Sequence, residues 1–237
     1  LRDHIIMSTT GFSREPFEES GLSLYEAIFD QSNALDNVAS EWVRAYKEET
    51  DNHTNSLLSL INFIIRSCGC SEIIAREGFE DDDAIPQVLE ELQDALKKEP
   101  VADYPLISKS REFRKFRKNF LTFFRQLIGH VKHDVLYDGV FFETIQIWVV
   151  PMSSSSFRPF RHTATIIALH LFSCLCELAQ EVHDSWTIAS RQLSVEKRTR
   201  APRNSKNMDR VSELQSKIQD LDKKKKQLDM YFEELFD

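Results

Sequence analysis

The chain has 237 residues, 41% of them hydrophobic and 29% charged, with a formal net charge of −8. That size suits one large domain or a short stack of repeats, and 6 Gly with 7 Pro are too few for a turn-rich all-β fold. The balance of 30 Lys+Arg against 38 Asp+Glu excludes a chain-wide basic field, so any nucleic-acid site must be a local patch.

Residues 1–21 read as an N-terminal extension. Helical periodicity dominates from Leu22 onward. It predicts a short helix over Leu22–Asn33 and a second over Asn37–Thr50, with Val38, Trp42, Val43 and Tyr46 on one side. A third, Thr54–Cys68, is apolar nearly all round and hence buried on most sides, with Gly69 to stop it. The acids of Glu77–Asp83 mark a loop or a helix start, and Ile85–Lys98 is amphipathic. Pro100 and Pro105 bound an extended connector. Ser108 or Ser110 is placed to cap a helix from Arg111 to His130. A helix over Phe141–Val150 is expected to end at Pro151, followed by the Ser153–Ser156 loop and a new helix near Phe160.

The last third changes character. Leu178–Arg198 reads as one long helix with a thinner apolar stripe, and Thr199–Asn207 as a polar loop. Val211, Leu214, Ile218, Leu221, Leu228, Phe232 and Leu235 then recur at spacings near three and four, with Lys225 in the one missing position of a heptad seam. The expected fold is all-α: an irregular helical stack of α-solenoid, HEAT-like type over 22–177, with a long antiparallel helical hairpin over 178–237. No hydrophobic run reaches the roughly 20 residues that span a bilayer, so no membrane partner is expected. Cys68/Cys70 and Cys174/Cys176 sit in apolar runs and read as reduced, buried thiols.

The sharpest functional pattern is Arg111–Lys132. On a helix, Phe113, Phe116, Phe120, Phe123, Phe124 and Leu127 fall on one side. Arg111, Arg114, Lys115, Lys118, Arg125 and Lys132 fall opposite, and Arg117 is counted with them as a candidate DNA contact. A one-sign face in an acidic chain, rich in guanidinium groups that donate two parallel hydrogen bonds, suits phosphate. The plain alternative is the solvated face of an amphipathic helix. No base-reading motif accompanies the stripe, so binding would be to the backbone of double-stranded DNA.

Arg158 and Arg161, beside His162, form a second candidate DNA site at a loop-to-helix junction, where helix N-terminal amides favour anions. Lys197, Arg198, Arg200, Arg203 and Lys206 form a third basic run in the hairpin loop. The acids of Glu77–Asp83, with Glu90, Glu91 and Asp94, read as a solubilising surface or a recruiter of a basic partner segment. There is no Gly-rich phosphate loop, no His-Glu-x-x-His and no Gly-x-Ser-x-Gly, so neither catalysis nor a metal or other cofactor is expected.

Several blocks, in order, resemble a known family. They are Trp42-x-x-x-Tyr46-Lys47, Leu57–Cys70 with Leu-Ile-Asn-Phe at Leu60–Phe63, Tyr104-Pro105-Leu106, Phe113–Phe120, Tyr137-Asp138 and Phe160-Arg161-His162-Thr163. Together they are similar to the N-terminal STAG region of the stromal antigen subunits of cohesin. The resemblance implies an elongated, non-enzymatic helical-repeat protein that works in the nucleus on chromosomes. It implies double-stranded DNA, the kleisin subunit, and cohesin loader and release factors as partners, with the main kleisin groove beyond this chain's end. A helical scaffold that binds only proteins is the competing expectation.

Overall fold

The structure, a computed structural model, describes residues 23–30, 34–50, 53–98, 104–198 and 205–235. Its elements are α1 (Leu24–Phe29), α2 (Leu35–Glu48), α3 (Thr54–Ser67), α4 (Arg76–Phe79), α5 (Ile85–Lys98), α6 (Phe116–Val131), α7 (Phe141–Ser153), α8 (Arg158–Arg198) and α9 (Ser205–Glu234). Short 3₁₀ turns at Asp82–Ala84 and Val135–Tyr137 join them, and no strand occurs among the described residues. The fold is therefore all-α, as the periodicity requires. The chain divides into two compact units, 1–171 and 172–237.

The first unit is organised around α3. Every α3 residue except Asn55 and Arg66 is buried. Such a helix must satisfy its polar side chains internally. Asn62 does so with a two-way clamp on Ile74: its amide donates to the Ile74 carbonyl at 3.1 Å and its oxygen accepts from the Ile74 N–H at 2.7 Å. Gly69 follows the cap residue Cys68 at φ 90°, a conformation that ends helices and costs a side chain dearly. Phe63 of α3 packs on Phe120, Phe123 and Phe124 of α6, with centroids 5.3, 5.5 and 6.0 Å away. The phenylalanine face expected from the sequence is thus the core side of α6.

A second set of contacts ties α2 to α3 and to the entry of α7. Trp42 donates its indole N–H to the Ser56 carbonyl at 3.1 Å. The buried Tyr46 donates to Asp138 at 2.6 Å, and Lys47 pairs with Asp134 at 2.7 Å. The other Asp138 oxygen accepts the N–H groups of Val140 and Phe141, capping α7. Asp138→Ala removes that cap and strands the Tyr46 hydroxyl. Caps are worth about 0.5–2 kcal/mol and an unpaired buried hydroxyl about 1–3 kcal/mol. The expected result is a loss of about 2–4 kcal/mol, read as a lower urea midpoint at unchanged slope.

Several boundaries differ from the sequence expectation. The helix expected from Arg111 starts at Phe116, and residues 111–115 are turns. Phe113 there packs edge-on against Phe29 at 5.5 Å, and Ser108 accepts from the N–H of Ser110 at 3.1 Å, closing a turn rather than capping a helix. Pro151 does not end α7, which continues to Ser153. Proline removes only the N–H that would reach the carbonyl of Ile147, and Ile147 is 37% exposed, so the unpaired carbonyl is not sealed in the core.

The long helix read over Leu178–Arg198 is the C-terminal half of α8, one helix of 41 residues that begins at Arg158. Its apolar stripe stays buried at Cys174, Leu175 and Leu178 and thins beyond them, while the helix continues. By length and composition α8 passes as a membrane span, against the expectation above. Its buried residues in the first unit, Phe160, Ala164, Ile167 and Leu171, fall on one face, as in a core helix. Cys176 is exposed, whereas Cys68, Cys70 and Cys174 are buried, and all four are free.

In the second unit α8 and α9 form the expected antiparallel pair. Phe172 near the unit's start meets Phe232 near its end at 5.3 Å, and Glu196 pairs with Arg210 at 3.1 Å. Leu221 and Leu228 of the heptad seam are buried, and Lys225 between them is exposed. Residues 1–22, Pro100 and the loop residues Arg200 and Arg203 lie outside the described residues.

Candidate nucleic-acid interface

The basic residues of the first unit do not lie on one helix. Arg111, Arg114 and Lys115 project from the turn ahead of α6, and Arg117 and Lys118 from its first turn. All five are exposed. Arg111, Arg114, Lys115 and Lys118 form no hydrogen bond or ion pair among the described residues. Arg125 is exposed and Lys132 half-buried, and both already interact with neighbours inside the chain. The patch is therefore densest at the α6 N-terminus rather than spread along the helix.

That position is electrostatically costly. A helix N-terminus carries about half a positive charge, which favours acids. Neither α6 nor α8 has an acid in its first turn, and α6 has no side-chain cap. Both starts carry arginines instead: Arg117 on α6, Arg158 and Arg161 on α8. Like charges gathered at positive helix ends are relieved by an anion.

Tyr104 packs against the start of α8. Its hydroxyl lies 2.8 Å from both His162 Nδ1 and Thr163 Oγ1. Burial, the largest influence, pushes the Tyr104 phenol up, while Arg158 and Arg117 act on it in the opposite direction. The same two arginines act on His162. Arg117 and Arg158, forty-one positions apart in the chain, thus share one electrostatic neighbourhood. The role of Tyr104 is not legible without this contact, because a tyrosine before a proline carries no pattern of its own.

The Phe160–Thr163 block divides its work. Phe160 is buried in the core, and His162 and Thr163 hold Tyr104. Arg161 donates from one nitrogen to the carbonyls of Ser155 and Ser156 at 2.7 and 3.3 Å, which fixes the serine loop. Arg158 is exposed at the helix start.

His162 is held below its ordinary value of 6.5, first by burial and then by Arg117 and Arg158, all of which penalise the imidazolium. The unfolded chain therefore takes up the proton more readily. Stability contributed by His162 is full above about 6.5 and is lost as pH falls below it. The melting temperature is expected to drop between about pH 7.5 and about pH 5.5, and His162→Gln to flatten that part of the drop. An unaltered pH profile in the variant would assign the titration elsewhere.

Residues 102–217 match the STAG domain family model. The chain is 34% identical over 225 residues to cohesin subunit psc3 of Schizosaccharomyces pombe, covering 94% of this chain and 23% of that protein. It is 28% identical over 224 residues to human cohesin subunit SA-3, covering 94% of this chain and 18% of the relative. Among solved structures it is similar to cohesin subunit Scc3 from Z. rouxii, with a TM-score of 0.80 at 19% identity over 90% of this chain and 25% of that one. That likeness shows the helical fold. The chain spans less than a quarter of the length of these two curated relatives. With a STAG domain across α6 to α9 and homology to psc3 along nearly its whole length, the chain belongs to the stromal antigen family of cohesin subunits.

Proposed function

We propose that this chain is the N-terminal part of a non-enzymatic regulatory subunit of the cohesin SMC–kleisin complex, acting on chromosomes in the nucleus. Its role is to hold double-stranded DNA without sequence preference and so support cohesin loading and sister-chromatid cohesion. Kleisin and the loader and release factors are the protein partners of the whole subunit. One observation carries the DNA reading: five exposed cations crowd the entry to α6, four of them without a partner among the described residues, and the fifth, Arg117, acts on His162 together with Arg158 at the start of α8. Arg111, Arg114, Lys115, Arg117, Lys118 and Arg158 are the proposed primary phosphate contacts. Arg125, Lys132 and Arg161, already engaged within the chain, contribute less.

The test is fluorescence anisotropy of labelled random duplex over a salt series. Phosphate contacts release condensed counterions, so log K falls linearly with log salt, by about 0.9 per phosphate neutralised. Equal affinity for unrelated duplexes with that slope supports the reading. No binding at low salt favours a scaffold that contacts proteins alone.

A further inference from the structure

A cleft of about 490 Å³ opens in the first unit on the side of α7. Leu57, Phe79, Ile147 and Trp148 give it an apolar floor, with the Phe79 and Trp148 rings stacked 5.9 Å apart. Glu80, Asp82 and Glu143 supply three carboxylates at its rim. All three are exposed. Glu80 pairs with Arg76 at 2.6 Å, while Asp82 and Glu143 form no ion pair among the described residues. Glu77, Asp81 and Asp83 continue the same sign along the loop.

One backbone group at the cleft lacks its helical partner. The carbonyl of Ile147 lacks its helical donor, because residue 151 is proline. An extended peptide has a free N–H to offer that carbonyl; a helix, with its own groups satisfied, has none.

We infer that this cleft is a docking site for an extended segment of another protein, one that sets an aliphatic or aromatic anchor beside lysine or arginine. The apolar floor takes the anchor, and the acidic rim takes the cations. The rim charge selects against nucleic acid, since carboxylates repel phosphate. The site is thus independent of the DNA reading, and the two can fail separately. Rim charges act mostly on encounter rate and salt dependence, whereas the floor sets the lifetime of the complex.

An array of random short peptides, probed with the labelled intact chain, tests this directly. Enrichment of peptides that join Lys or Arg to an apolar residue is the expected result. The best of them, synthesised with a fluorescent label, is then titrated by anisotropy. Asp82→Lys with Glu143→Lys should weaken it about tenfold and reduce its salt dependence. Ile147→Ser, at a half-exposed position that leaves the core intact, should weaken it at unchanged salt dependence. Circular dichroism and the melting temperature should stay at wild-type values in both variants, which reports that they are folded. No enrichment, enrichment of acidic peptides, or equal peptide affinity in the Asp82/Glu143 double variant overturns the proposal. So does a concentration-dependent rise in mass by light scattering that the same variants abolish, because the cleft would then take a second copy of the chain.

Discussion

Reversal of Arg114, Lys115 and Lys118 to Glu together is expected to weaken duplex DNA binding for all sequences alike. These side chains are exposed and make no hydrogen bond or ion pair among the described residues, so nothing in the fold depends on them. If each meets one phosphate, three contacts vanish and the slope of log K against log salt becomes shallower by about 3. The new carboxylates also repel the backbone, so the affinity loss exceeds that of neutralisation. Helical content and melting temperature should stay at wild-type values. Arg158→Glu should weaken binding as well, through the neighbourhood that Arg158 shares with Arg117. Arg161→Glu should have the smaller DNA effect and some effect on stability, because it releases the Ser155 and Ser156 carbonyls. Wild-type affinity in the triple reversal would remove the α6 entry as the DNA surface.

Phe120→Ala is expected to be the most damaging single change in the first unit. Its ring is fully buried, 5.3 Å from Phe63, 6.1 Å from Phe116 and 5.1 Å from Phe124. These rings hold one another in tilted and edge-on contacts, so the cavity left by truncation cannot close by a single rotamer change. Phe→Ala at such a site costs about 3–5 kcal/mol. For a chain of this size each kcal/mol lowers the melting temperature by about 2–4 °C, so a fall of about 6–20 °C is expected by calorimetry. Ile107→Ala is the control: that side chain is 50% exposed, and its removal should leave the transition in place. An unchanged transition in Phe120→Ala would place the phenylalanine face outside the core.

The two results bear on opposite sides of one helix. Phe120 faces α3 through Phe63, while Lys118 faces water. A protein in which the first variant melts early and the second keeps its fold but loses DNA would have separated structure from function on α6.

Residue pattern alone determines much of this protein. Apolar residues at helical spacing define every major helix, because burying one face is what makes such a segment helical at all. The bounds of α5 are legible to the residue, and Thr54–Ser67 announces a buried helix by being apolar all round. The seam of α9, with Lys225 as its exposed interruption, is legible for the same reason. Position in space is not. Periodicity carries the Arg111 stripe straight into α6, but the contact of Phe113 with Phe29 accompanies a turn there, and the helix begins at Phe116. Proline at 151 looks like a stop, yet the carbonyl it deprives lies on an exposed side and α7 continues. The pairing of Tyr46 with Asp138 spans 92 positions, and that of Tyr104 with His162 spans 58. Such partners are chosen by packing, since no local rule links residues so far apart. Charge composition reveals that the chain has basic runs; only the tertiary structure decides that Arg117 and Arg158 act on the same histidine.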